Sequence, residues 1–164
     1  MSWQTFSLGL HLGALALWLG GIIFFLVVFS PVLKEIEPGV AMRMLNNGRR
    51  SLEAVAWTGI SLLLITGIVN LVLRRQAGAS SLGQFYLIAL SIKLILFAVM
   101  VYHHGLQVFK YGAQIAVMTA GVPHDSPSWP EALRAEWQKW FTLLKVNATL
   151  GPIVTLMGLV LLKS

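Results

Sequence analysis

The chain has 164 residues, 57% of them hydrophobic and 11% charged, with a mean hydropathy of +0.77, whereas an ordinary soluble domain carries about 25% charged residues. This excludes a disordered chain and a water-soluble globule, and the absence of Cys removes disulfides, iron–sulfur clusters, thiolate metal sites, Cys nucleophiles and covalent haem attachment through C-x-x-C-H. The net charge of +6 would suggest nucleic acid in a soluble protein, but most Lys and Arg here flank apolar runs, where they meet lipid headgroups, and no nucleic-acid role is expected.

Four runs rich in Leu, Ile, Val, Phe and Gly each reach about 20 residues, the length a helix needs to cross about 30 Å of hydrocarbon. The first spans about residues 6–32; it lacks a basic n-region and a small-residue cleavage site, so it reads as a retained helix and not as a secretory signal. Pro38 and Pro130 suit first-turn positions, which predicts that the second helix covers about 38–74 and the fourth about 130–162, both starting before the membrane. The third helix is expected over about 84–120, running on past the membrane through Gln107 and Tyr111. Between the last two, Pro123 to Pro130 reads as a loop by its Pro and Ser content. The expected fold is an all-α, four-helix up-down membrane bundle forming one domain over residues 1–164.

Charge sets the expected orientation. Lys34, Arg43, Arg49, Arg50, Lys110, Arg134 and Lys139 lie in or beside the connections from helix one to two and from three to four, with Lys145 close by. The opposite side carries Arg74, Arg75 and Lys163. The positive-inside rule places both termini outside, on the periplasmic side of a bacterial inner membrane.

An ionisable side chain in hydrocarbon costs about 2.5 kcal/mol or more on insertion scales. His11 and Lys93 are the two clearest cases, roughly 9 and 14 Å below the outer boundary by helical rise, and so in one layer. Thr66 and Asn70 fall at comparable depth, and with Gly59 they form one small-polar stripe on helix two. On helix one, Gly9, Gly13 and Gly20 project away from His11 and suit close helix packing, while Trp18 shares the histidine's side. On helix three, Lys93, Phe97, Met100 and His104 follow a common line, and His103 points elsewhere. Arg49, Arg50, Lys145 and Asn147 belong to the inner layer, which suits a carboxylate, a phosphate or lipid headgroups. Each feature also has a structural reading: His11 bonding a neighbouring carbonyl, Lys93 snorkelling to headgroups, and His103-His104 capping the helix where it leaves the membrane.

Neutral imidazole ligates haem iron, and bundle cytochromes hold haem between facing helices. His11 and the His103-His104 pair differ in depth by roughly 20 Å, too far to clamp one iron. The surviving arrangement is a haem b in the outer layer with His11 as axial ligand and Lys93 beside it, with a second haem in the inner layer on His103 or His104 left open. Copper is the competing metal, but it favours Cys and Met sulfur, and of the Met residues only Met100 shares a face with a candidate ligand. Proton transport through Lys93 and His11 lacks a partnering acid, and no P-loop, dinucleotide fingerprint, H-E-x-x-H or hydrolase arrangement is present.

The run His11-Leu12-Gly13-Ala14-Leu15-Ala16-Leu17-Trp18-Leu19-Gly20-Gly21 followed by an apolar stretch to Pro31, then Arg49-Arg50, then Thr66-Gly67 late in helix two, then Lys93-Leu94 opening a span that ends in His, resembles the copper-resistance protein D (CopD) family and its relative HemJ. The likeness covers most of the chain from His11 to His104 and rests on order and spacing. HemJ is a b-haem membrane protein that oxidises protoporphyrinogen, with a first-helix His and a later Lys as its functional pair. The resemblance therefore implies those roles for His11 and Lys93, the latter as a catalytic residue. The CopD label implies copper import or tolerance. A redox partner is expected but its nature is open; assembly through the glycine faces, including Gly151 and Gly158 on helix four, predicts a homo-oligomer or a subunit of a larger membrane complex.

Overall fold

The computed structural model describes residues 3–76 and 83–163. Four long helices carry the chain, joined in an up-down order: α1 Trp3–Glu35, α2 Pro38–Gln76, α3 Gln84–Ala120 and α4 Glu131–Lys163. All four are long and apolar enough to cross a membrane, and only 11% to 28% of the residues in each apolar window are buried within the chain. The remaining apolar surface, including Ile65, Leu94 and Leu156, has to be covered by something other than this chain, and lipid tails do that without the cost water would impose. The protein is an integral membrane four-helix bundle.

Helix ends follow local chemistry. Ile36 leaves helical space at φ −102°, ψ 152°, and Pro38 restarts the chain at a position whose backbone N–H would have no partner in any case. At the start of α2 the α3–α4 loop crosses closely: a Cβ on Gly39 would fall 2.1 Å from the His124 carbonyl oxygen, so only glycine fits there. The Arg43 guanidinium donates to the Val122 carbonyl at 3.2 Å and ties the same loop down.

Two helices depart from α geometry. Phe25–Phe29 in α1 and Leu106–Gly112 in α3 are π-helical, a widening that shifts which residues face inward and that recurs at functional positions. Phe25 is turned into an aromatic layer with Trp140, at a ring separation of 5.4 Å, and Phe141. The packing forms two hairpins, α1 on α2 and α3 on α4, with α1 also meeting α4. Trp18, Ile22, Met42, Met100, Ile115 and Trp140 fill the core.

The glycine faces divide. Gly9, Gly13 and Gly20 have open space where a Cβ would be, so α1's glycine face is not used to pack the described helices. On α4, Gly151 receives Leu19 and Gly158 receives the Lys93 side chain, so that face is spent inside the bundle. Gly59 of the small-polar stripe lies against Trp18, which sets α1 and α2 close together and brings the rest of the stripe to His11.

Candidate functional site

The half of the bundle nearer the termini holds the first polar group. His11 on α1 bonds through Nδ1 to the Thr66 hydroxyl on α2 at 2.8 Å. That hydroxyl also lies 2.5 Å from the Leu62 carbonyl one turn back. A carbonyl can only accept, so the hydroxyl gives its proton to Leu62 and its oxygen receives the Nδ1–H of His11. The imidazole is thereby held as the Nδ1–H tautomer with the lone pair on Nε2. A ring fixed through one nitrogen with the other free is the arrangement of a ligating histidine.

Lys93 enters this layer from α3, within electrostatic reach of His11. Its Nζ lies 3.1 Å from where a Gly158 Cβ would be, so the glycine makes the room that the ammonium occupies. Neither ion pair among the described residues involves Lys93. The positive charge is uncompensated at membrane depth, where such groups either meet water or headgroups or pair with a ligand. Asn70, one turn beyond Thr66, has a buried Oδ1 without a partner. Nearer the end of the helices, Arg74 caps α4 by donating to the Leu161 carbonyl at 2.9 Å and stacks over Tyr86 at 4.3 Å.

The half nearer the long connections holds a second group, buried more deeply. Arg49 donates to both Glu53 oxygens at 2.6 and 2.7 Å and, through Nε and Nη2, to Asn46 Oδ1 at 3.2 and 2.9 Å. Trp140 Nε1–H reaches Glu53 at 3.4 Å. The π-turn of α3 closes over this pair, and Gly112 is required there because a Cβ would fall 2.4 Å from the Arg49 guanidinium and 2.7 Å from the Gln107 carbonyl. His104 is only 4% exposed and packs its ring 5.0 Å from that of Trp57. Asn147 donates to the Met100 carbonyl at 3.1 Å.

His11 and Thr66 are hydrogen-bonded, Lys93 lies within electrostatic reach of His11, and Asn70 is one turn beyond Thr66 on α2. Trp18 points into the core and lines the same enclosed space as His104. Met100 is buried against α4, His103 is half-buried and Arg50 is exposed. Arg49 does not offer an open cationic site, because its guanidinium is consumed by Glu53 and Asn46. Glu53, Asn46, Gln107 and Trp140 are site-forming residues the sequence reading missed; the i,i+4 spacing of Arg49 and Glu53 was the one signal for them.

The donor sets of the two halves differ. Around His11, an imidazole with its lone pair on Nε2 and a lysine without an ion-pair partner among the described residues are the groups that could hold an iron centre with an anionic substituent. Around His104 the walls stand too close to admit even a water molecule, so a second macrocycle does not fit there. Among the described residues no group of three or more His, Asp or Glu side chains gathers as a bare metal would require. Comparison of the chain with protein-family models, curated proteins and solved structures finds no match.

Proposed function

We propose that the protein binds one haem b in the half of the bundle nearer its termini, with His11 Nε2 as axial ligand, and serves electron transfer or a haem-linked oxidation. The observation that carries this is the Thr66–His11 bond, which holds the imidazole with its free nitrogen available. In bound form the haem supplies a one-electron centre. Thr66 orients the ring and raises its basicity as a ligand. Lys93 would compensate a haem propionate as the ammonium or, where it is deprotonated, would accept a proton from a substrate oxidised there, in keeping with the HemJ-like role. The excess of Lys and Arg toward the long connections favours termini on the periplasmic side of a bacterial inner membrane.

Protein purified in detergent from haem-replete cells is expected to show a Soret band and, on reduction, sharp α and β bands, absent in His11→Ala of unchanged helicity. Thr66→Val is expected to keep the spectrum but to weaken haem affinity about 10–100-fold, the usual cost of removing such a supporting bond. A colourless protein would end the proposal. Stoichiometric copper in that colourless protein would transfer His11 to the copper reading.

A further inference from the structure

The face of α4 that the other helices leave uncovered is not uniformly apolar. Arg134, Gln138, Thr142, Lys145 and Thr149 recur at three- and four-residue intervals, so they share one side of the helix, and all five are exposed. Beyond them the same side turns apolar at Pro152 and Leu156. No charged residue follows Lys145 until Lys163, so Lys145 is the deepest cation of the stripe and stands at the edge of α4's uncharged run.

Its ammonium is uncompensated. Neither ion pair among the described residues includes Lys145. The nearest acid before it on α4 is Glu136, roughly 13 Å back along the axis by helical rise and already bound to Lys139 at 2.6 Å. Thr142 and Thr149 give their hydroxyl protons to the carbonyls of Gln138 and Lys145 at 2.8 and 3.0 Å, so the ammonium is the donor left facing outward. Lys145 borders an open groove of about 330 Å³ whose other walls are Thr142, Val146, Thr149 and Leu150. That volume lies at the lower end of the roughly 300–1,000 Å³ of ligand clefts.

One cation at the rim of a largely apolar groove, on a face covered by lipid, specifies an amphiphile with a negative head. A second copy of the chain is disfavoured, because a two-fold contact along this stripe would set Lys145 against its own counterpart at the same depth. We propose that the groove on α4 binds one anionic phospholipid of the surrounding membrane, with its phosphate paired to Lys145 Nζ and an acyl chain along Val146 and Leu150. Lys145 thereby parts from Arg49 and Asn147 of the same layer, whose side chains are buried and bonded within the bundle. The site lies in the half nearer the long connections and is independent of haem binding at His11.

Native mass spectrometry tests this on the full chain, released from micelles that contain equal amounts of phosphatidylglycerol and phosphatidylcholine. The unsubstituted protein is expected to retain one phosphatidylglycerol, preferred about fivefold, the scale set by one basic residue at an anionic lipid surface. Lys145→Gln is expected to lose that preference and Lys145→Arg to keep it. Val146→Trp, which leaves the charge in place but fills the groove, is expected to lose it as well. Equal retention of the two lipids by the unsubstituted protein would overturn the proposal, as would a preference that survives Lys145→Gln. Survival in Val146→Trp would overturn it too, by leaving only a lysine that snorkels to headgroups without a site.

Discussion

Glu53→Leu is expected to destabilise the bundle by about 3–5 kcal/mol, the cost of stranding a buried charge after its partner is removed. Arg49 is 3% exposed and its bidentate bonds to Glu53 are the only neutralisation it has among the described residues. With the carboxylate gone, Asn46 Oδ1 is its one remaining acceptor. Arg49→Ala strands Glu53 in the same way. The double change Arg49→Met with Glu53→Leu is expected to recover most of the loss, because well-packed apolar groups often match or exceed a buried ion pair. Equilibrium unfolding in mixed micelles at increasing sodium dodecyl sulfate fraction measures all three. Additive single losses, with no recovery in the double variant, would mean that the pair is not isolated from solvent.

His11→Gly is expected to remove haem binding, and external imidazole is expected to restore it. The substitution leaves a space of imidazole shape beside Thr66, whose hydroxyl oxygen remains anchored through its bond to the Leu62 carbonyl. A free imidazole entering that space can donate to Thr66 through one nitrogen and offer the other to iron. Restoration should depend on the threonine: His11→Gly combined with Thr66→Val is expected to need roughly ten- to a hundredfold more imidazole, the scale on which supporting bonds tune such ligands. Absorbance at the Soret maximum against imidazole concentration reads both variants. Haem retained by His11→Gly without imidazole would assign the iron ligand elsewhere.

The four helices were legible because bilayer crossing imposes about 20 apolar residues per helix, a length signal that few other constraints imitate. His11 and Lys93 stood out for the converse reason, an ionisable group where hydrocarbon penalises it. The second polar group was less legible. Glu53 sits at the edge of the apolar run and reads as part of the basic connection, whereas the structure buries it by running α2 on as one helix from Pro38. His104 reads as a cap where α3 leaves the membrane, but the core continues past it. Gln107 could not be placed by projecting residues at 100° each, because the π-turn over Leu106–Gly112 resets the register. The glycines of α1 show the limit of face arguments: their spacing signals close packing, yet spacing does not say with what, and within the described chain nothing fills that face.

The central claim is that one haem binds through His11, and titration of haem into haem-free protein tests it most directly. The account predicts saturation at one haem per chain, with that binding abolished in His11→Ala and unchanged in His104→Ala, both variants retaining wild-type helicity. Saturation at two, or loss of binding in His104→Ala with retention in His11→Ala, would contradict it.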